Sequence, residues 1–342
     1  MAKCARIVGT GSYLPKQKVT NQEIENMVRN FDPQRAGMPF VKWVEKLTGI
    51  KTRYFVKDED AETMAAKASL LALEAAEMEA SDIDFIIVST LTPARDVPNI
   101  ACTLGHLIGT RKAGAFPLNT ACAGFVYALA LAYSLIKSDI YKNILVASTE
   151  ALSRVTDYDD PGTAVLFSDG AGAAILQAGE KGGICSPPHM SSDFTEHFDL
   201  KNVDCLNPSL RIKKQGREFI PRHSLHMMGG PRVLRRAVNA MADALMKALD
   251  QSPYKLKDLD VIIPHQANQR ITQGLIEKLK VPSKKVCQVI DAIGNTSGAT
   301  VAIGLDMAIR GKAGDTKINP GSKVGLTAVG GGYSVGALVF EY

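Results

Sequence analysis

From Ala121 to Ile136 the chain reads Ala-Cys-Ala-Gly-Phe-Val-Tyr-Ala-Leu-Ala-Leu-Ala-Tyr-Ser-Leu-Ile, with scarcely a polar side chain. A helix apolar on nearly every face has no side to offer water, so it belongs inside a core large enough to surround it. The stretch is too short and too rich in small residues to cross a bilayer. A polar pair, Asn119 and Thr120, precedes it, and a thiol, Cys122, stands at its start. The first turn of a helix carries unpaired N–H groups and the positive end of the helix dipole. A thiol placed there is biased towards the nucleophilic thiolate. The plain alternative is a small buried core thiol.

Around this helix, apolar strand-like runs alternate with helix-like ones. Thr63 to Ala80 reads as a helix and Asp84-Phe-Ile-Ile-Val-Ser-Thr as the strand after it; Phe125 to Lys137 leads in the same way to Asn143-Ile-Leu-Val-Ala-Ser. Continuous apolar strands separated by helices indicate an α/β fold with a largely parallel sheet covered on both faces. The pattern recurs about half a chain later. Ala80-Ser-Asp-Ile-Asp-Phe-Ile-Ile-Val-Ser-Thr parallels Lys257-Asp-Leu-Asp-Val-Ile-Ile-Pro-His-Gln, and Ser168-Asp-Gly-Ala-Gly-Ala-Ala-Ile-Leu parallels Gly330-Gly-Gly-Tyr-Ser-Val-Gly-Ala-Leu-Val. A period that long belongs to no solenoid. It implies two similar domains, 1–178 and 179–342, joined near Ala178-Gly-Glu-Lys-Gly-Gly, and the length of 342 residues also suggests two. Asn30 to Phe40 and Ser186 to Arg222 read as irregular. The second is long enough to be a lid, a binding loop or a solvated excursion.

Composition excludes several classes. Hydrophobic content of 46% and charged content of 22% are those of a globular protein with ample core material. The six cysteines form no CxxC pair and no regular spacing, which argues against a disulfide framework or a zinc ribbon and fits a reduced, cytoplasmic setting. No apolar h-region follows Met1. A net charge of +5, with no dense basic run and a single Trp, does not suit nucleic acid; it does suit an acidic protein partner or an anionic cofactor. Gly9-Thr-Gly lacks the third glycine of a dinucleotide fingerprint, and nothing matches the P-loop. His223 and His226 have ligand-like spacing, but Pro221 precedes them and no acidic third ligand accompanies them, so no metal is expected. Arg232, Arg235 and Arg236 read as a solvated helix face.

Two downstream motifs change the standing of Cys122. In Val261-Ile-Ile-Pro-His-Gln-Ala-Asn-Gln-Arg-Ile, Pro264 ends a short apolar strand and sets His265 at its carboxyl end, where open α/β sheets bind ligands. A helix is predicted from about Asn268, with Ile271, Leu275, Ile276 and Leu279 as its core stripe. Gly294-Asn-Thr-Ser-Gly is a tight polar loop before another apolar helix, Ala299 to Ile309. Separately, His265 reads as a hydrogen-bonded core histidine and Asn295 as a turn residue.

Together, Cys122, His265 and Asn295 resemble the nucleophile and two donors of the β-ketoacyl-acyl-carrier-protein synthase III family, condensing enzymes of the thiolase superfamily. The resemblance runs over essentially the whole chain: Ile7-Val-Gly-Thr-Gly-Ser-Tyr-Leu-Pro, Trp43-Val-Glu-Lys-Leu-Thr-Gly-Ile, Ala121-Cys-Ala-Gly-Phe, Phe167-Ser-Asp-Gly-Ala-Gly-Ala-Ala, Pro264-His-Gln-Ala-Asn, Gly294-Asn-Thr-Ser and Gly330-Gly-Gly-Tyr occur in order. It implies a duplicated five-layer αβαβα sandwich. It also implies decarboxylative condensation of an acyl thioester, such as an acyl-coenzyme A, with malonyl-acyl carrier protein, initiating fatty-acid synthesis. By the same resemblance, the backbones of Cys122 and Gly331 form the oxyanion hole, while Trp43, Gly162, Asn268 and Arg270 face coenzyme A. Arg235, Arg270 and Lys278 would dock the carrier protein, and the protein would act as a homodimer with no metal or prosthetic group.

The pattern is not complete. Leu47, Pro161 and Leu234 stand where the family carries two arginines and a phenylalanine that help bind coenzyme A, and Glu277 replaces a basic docking residue. Val97 stands where short-chain members place a phenylalanine that closes the acyl pocket across the dimer interface, which implies a primer longer than acetyl. A related enzyme making a specialised β-keto product, or using another acyl donor, shares the same triad. A papain-like cysteine protease shares the order Cys, His, Asn and a similar Cys-to-His separation, but not its local Cys-Gly-Ser-Cys-Trp sequence or the duplication. A non-catalytic scaffold needs no intact triad.

Overall fold

In a computed structural model, the chain is described over residues 4–193 and 230–342, without the side chains of 230–232. The strands are β1 Cys4–Tyr13, β2 Gln17–Thr20, β3 Thr52–Phe55, β4 Phe85–Ser89, β5 Gly114–Leu118, β6 Asn143–Glu150, β7 Gly170–Gly179, β8 His189–Ser192, β9 Val261–Pro264, β10 Lys323–Val329 and β11 Ser334–Glu341. The helices are α1 Asn21–Glu25, α2 Pro33–Ala36, α3 Phe40–Thr48, α4 Ala61–Ala76, α5 Ile100–Ile108 and α6 Gly124–Lys137. They continue with α7 Pro161–Ala164, α8 Gly230–Asp250, α9 Gln269–Leu279, α10 Ile290–Ile293 and α11 Ala299–Ile309.

Two sheets organise the molecule, one in the order β1-β7-β6-β4-β5 and one in the order β8-β11-β10-β9. The apolar helices α6 and α11 pack with residues of both sheets in one core cluster. That explains why both lack a polar face: each is covered on two sides, and along α6 Phe125, Val126, Leu129 and Ala132 are fully buried. A second cluster joins α4 and α5 to the outer face of the first sheet, and a third joins α8 and α9 to the outer face of the second. The result is five layers, αβαβα. The short β2–β3 ribbon and α3 hold a fourth cluster, which includes Trp43.

The largely parallel sheet expected from the strand pattern is corrected: both sheets are mixed. β4 runs parallel to β5 and β6, and β9 to β10, whereas β7 is antiparallel to β1 and β6, and β11 to β10 and β8. Parallel neighbours need a helical crossover, and α5 and α6 supply those in the first sheet. Between β6 and β7 only a short 3-10 turn and α7 intervene, so β7 returns antiparallel.

The cysteine spacing argued against a disulfide framework, and it concealed one bridged pair. Ala5 and Ile184 exchange backbone hydrogen bonds of 3.0 and 2.8 Å, which sets Cys4 opposite Cys185 with a Cα–Cα distance of 4.5 Å, and the two are joined as a disulfide. Partners 181 residues apart leave no trace in local spacing. Of the irregular stretch 186–222, residues 189–192 form β8; the part from 194 on, with His223 and His226, lies outside the described residues. Among the described residues no helix is long and apolar enough to cross a membrane, and no cluster of metal-ligating side chains occurs.

Candidate active site

Cys122 is the middle residue of a 3-10 turn, Ala121–Ala123, that leads directly into α6. Ala121 has φ 48°, a left-handed conformation rare for a residue with a Cβ. Such strain costs on the order of 1–3 kcal/mol and persists only where the surroundings impose it. Glycines let those surroundings close in. A Cβ at Gly124 would stand 1.7 Å from Ser89 Oγ, and one at Gly330 would stand 2.4 Å from the Thr120 carbonyl and 3.1 Å from the Cys122 nitrogen. The Gly330–Gly332 turn between β10 and β11 thus lies against the backbone of the thiol, with Gly331 as its middle residue. Gly330 donates its own N–H to Ser334 at 2.8 Å.

His265 follows β9 and donates its backbone N–H to Thr327 on β10 at 2.8 Å, so the sheet itself fixes its position. The side chain is buried, and its Nδ1 has no partner. Burial lowers its pKa to about 4, against a weaker opposing effect of the Ser297 backbone, so the ring is neutral near pH 7. Asn295 is held from three sides. Its N–H donates to Leu166 at 3.1 Å, its carbonyl accepts from Ser168 at 2.9 Å, and its Oδ1 accepts from the Ser297 N–H at 2.9 Å. With Oδ1 committed, the donor Nδ2 is left buried and unpartnered. An unpartnered ring nitrogen and an unpartnered amide donor, buried at one site, are costly in any protein, and they leave this site able to hydrogen-bond a substrate atom.

Ser297 ties the three residues together. It lies beside His265, holds Asn295 Oδ1, and its hydroxyl donates to Cys122 Sγ at 3.3 Å. The sequence reading did not single it out. Its signal lay in Gly294-Asn-Thr-Ser-Gly: Gly298 comes within contact distance of the Ala121 carbonyl, where a Cβ would stand at 3.2 Å.

The thiolate expected at Cys122 is corrected. Burial pushes the thiol up to about 12, and Glu150 nearby raises it further, while the Ser297 hydroxyl pulls the other way. A helix N-terminus favours negative charge, but here the cost of removing water is larger. Glu150, at the end of β6, is itself pushed up to about 8 by burial. It accepts from the Leu91 N–H at 3.1 Å and the Thr92 hydroxyl at 2.8 Å, fixing the start of the loop after β4.

The remaining expected site residues fall into two groups. Asn268 caps α9, accepting from the Ile271 N–H at 3.1 Å, and Arg270 is exposed on the first turn that follows. Arg270 lines a surface cleft of ≈ 460 Å³ with Lys46, Gly49, Leu234, Gln273 and Glu277. Gly49 ends α3 with φ 75° and lies so close to Gln269 that a Cβ would stand 2.2 Å from its side chain. This approach brings the helix of Trp43 and Lys46 beside Arg270. Trp43 is half-buried against Phe31 and Phe40, with ring centroids 5.1 and 6.0 Å away. Gly162 lies in α7, just before Val165–Phe167, which share the cluster of Trp43. Arg235 and Lys278 are exposed on α8 and α9. Arg236, expected to be solvated, instead stacks on the Tyr333 ring at 4.6 Å and meets Asp193. Val97 is not brought to the thiol of its own chain: it is 86% exposed in the loop before α5.

The chain matches the family model for 3-oxoacyl-[acyl-carrier-protein] synthase III over residues 116–193, which contain Cys122, and that family's C-terminal model over residues 249–342, which contain His265, Asn295 and Gly331. It is 38% identical to the β-ketoacyl-[acyl-carrier-protein] synthase III of Clostridioides difficile, with 99% of this chain and 98% of the relative covered. Against the same-named protein of Clostridium novyi identity is 39%, with 98% of each covered. The crystal structure of 3-oxoacyl-[acyl-carrier-protein] synthase III from Aquifex aeolicus superimposes with a TM-score of 0.85 at 34% identity, covering 99% of this chain and all of the other.

Proposed function

The chain belongs to the 3-oxoacyl-[acyl-carrier-protein] synthase III family, and from that premise we propose that Cys122, His265 and Asn295 carry its reaction. That reaction is the condensation of an acyl thioester with malonyl-acyl carrier protein that initiates fatty-acid synthesis, so the protein is an acyltransferase. The observation that supports the assignment best is the meeting, around Ser297, of a thiol at a helix start with the unpartnered side-chain nitrogens of His265 and Asn295.

Cys122 sulfur attacks the carbonyl of the acyl thioester; the carrier leaves as its thiol, taking up the proton, and the acyl group stays on the cysteine. Malonyl thioester then enters. Its bond to the carboxylate breaks, CO2 departs, and the electron pair moves onto the thioester oxygen as an enolate. Neutral His265 and the Asn295 amide donate hydrogen bonds to that oxygen. The enolate carbon attacks the acyl-Cys122 carbonyl, whose oxyanion is met by the backbone N–H groups of Cys122 and Gly331. Collapse expels the sulfur, which takes up a proton from water to return to the thiol, and gives the β-ketoacyl thioester. Supplied with an acyl-coenzyme A and malonyl-acyl carrier protein, the purified protein should release one CO2 for each new C–C bond. Thioester hydrolysis with no C–C bond formed would overturn the reading.

Arg235, Arg270 and Lys278 are assigned to docking of the acidic carrier, and Trp43, Gly162, Asn268 and Arg270 to the coenzyme A or pantetheine arm. Raising salt should weaken condensation, because these cations are solvent-exposed and screened within about a Debye length. Arg270→Glu should raise the apparent KM for malonyl-acyl carrier protein about tenfold, a repulsion in place of an attraction at one rim contact. Steady-state kinetics across a salt series measure both, and insensitivity to both rules out this face.

The homodimer is assigned to the edge of the first sheet. Among the described residues β5 pairs with β4 alone, and an edge strand can offer its outer backbone groups to a second copy. Val97, exposed in its own chain, is then available to the acyl pocket of the partner. Valine in place of phenylalanine leaves room for a longer chain, and each buried methylene is worth ~0.8 kcal/mol, so two extra carbons shift preference about tenfold. Acyl loading compared for acetyl, butyryl, hexanoyl and octanoyl thioesters should favour the longer primers. Val97→Phe should move the preference towards acetyl; a wild type that prefers acetyl, matched by its variant, refutes the assignment.

A further inference from the structure

We propose that Ser297 is a further catalytic residue, whose hydroxyl donates to Cys122 sulfur and stabilises the negative charge that develops there when the thiol attacks and when it is later expelled. The inference rests on the reading of Cys122 as nucleophile. Its starting point is the 3.3 Å bond from Ser297 Oγ to Cys122 Sγ, made between two buried residues 175 positions apart. Nothing in the local chain requires that contact. It is produced by the Gly294–Gly298 loop, which sets Ser297 at φ 52°, a conformation that resists any residue with a Cβ.

The need is evident from the surroundings of the sulfur. It is buried, the Glu150 carboxyl lies near it and disfavours a second negative charge once ionised, and both influences hold the proton on the thiol. His265 and Asn295 serve another acceptor under the mechanism above. The Ser297 hydroxyl remains to meet the sulfur, and a hydroxyl hydrogen rotates freely to follow it from thiol to developing thiolate. The proton stays on Oγ throughout, so no bond to Ser297 is made or broken.

The division of labour within this residue makes the test clean. The Ser297 backbone serves Asn295 and His265, while the hydroxyl makes the hydrogen bond to Cys122. Ser297→Ala should therefore slow acyl transfer to Cys122 about tenfold to a hundredfold, the usual effect of losing a hydrogen bond to a charged group. It should also displace the pH profile of Cys122 alkylation upward by about a unit. Decarboxylation of malonyl-acyl carrier protein, which uses the two donors, should stay within about twofold of wild type. Ser297→Gly removes the hydroxyl and the backbone strain together and should reproduce the alanine result. Unchanged loading and an unchanged alkylation profile would overturn the proposal. A parallel fall in loading and decarboxylation would overturn it too, since the role would then be structural. If the wild type itself forms no acyl adduct at Cys122, the nucleophile assignment fails first; if it does and the Ser297 variants load normally, only this inference fails.

Discussion

Cys122→Ala is expected to form no acyl adduct and to lose condensation by about ten-thousand-fold or more, the scale on which removal of a covalent nucleophile acts. Intact-protein mass after incubation with an acyl thioester should rise by one acyl group in the wild type and by none in the variant. Few other thiols can confuse the readout. Cys4 and Cys185 are bridged, and Cys287 is buried, within 4 Å of Gln266 Nε2 and of the Gly304 carbonyl. Cys102 is exposed on α5 and Cys205 lies outside the described residues, so a Cys102→Ser, Cys205→Ser background separates incidental labelling from the adduct at Cys122. Because burial pushes the Cys122 thiol up to about 12, the fraction ionised grows with pH throughout the neutral range, and alkylation at this site should climb steadily from pH 6 to about 9 without a plateau. A plateau near neutrality would mean a true resting thiolate, as the position ahead of α6 alone implies. An adduct that persists in Cys122→Ala would sink the nucleophile assignment.

Regular segments of the chain were legible because their physics is local. The helix expected from Asn268 is α9, Gln269–Leu279, with Ile271, Leu275, Ile276 and Leu279 all buried, and the helix expected over Ala299–Ile309 has those bounds. The helix expected over Thr63–Ala80 runs instead over Ala61–Ala76, because Glu77 takes up φ 52° and ends it, a residue with no outward mark of a cap. Periodicity also foretold that the Cys122 helix is enclosed, since an element without a polar face has only one kind of place to go. What remained illegible depends on the meeting of distant segments. The antiparallel course of β7 and β11 follows from what does not intervene between strands. The Cys4–Cys185 pair follows from a two-residue bridge between β1 and the segment after β7. The high pKa of Cys122 follows from the same burial that the apolar sequence announces, yet the helix start suggested the opposite sign; desolvation and dipole compete, and only the three-dimensional site shows which is larger. Ser297 was hidden because a serine in a polar turn is ordinary until its hydroxyl is found on a sulfur from the other half of the chain.

His265→Ala and Asn295→Ala should each retain acylation of Cys122 and lose decarboxylation of malonyl-acyl carrier protein by about a hundredfold or more, the loss that follows removal of one oxyanion donor. Under the proposed mechanism acyl transfer builds its negative charge at the carbonyl bound to Cys122, for which the backbones of Cys122 and Gly331 are the assigned donors. On the proposed assignment the enolate forms on a second thioester, before the His265 ring and the Asn295 amide, whose Nδ2 has no partner among the described residues. The pH dependence adds an independent check on His265. With its pKa lowered to about 4 by burial, the ring is neutral and serves as a hydrogen-bond donor without a net charge. Protonation sets in only as pH falls towards 4, so wild-type decarboxylation should hold level from pH 8 down to about 5.5, where an unperturbed histidine would already be mostly charged. The two donors act on one oxygen, so their losses should not add: the double variant should fall well short of the product of the single effects, as groups acting on a single charge do. Stopped-flow acylation and CO2 release, measured separately, resolve the two half-reactions. If either variant failed to load acyl groups while decarboxylating normally, the assignment of these residues to the enolate would be wrong, and both would have to be moved to the service of the thiol.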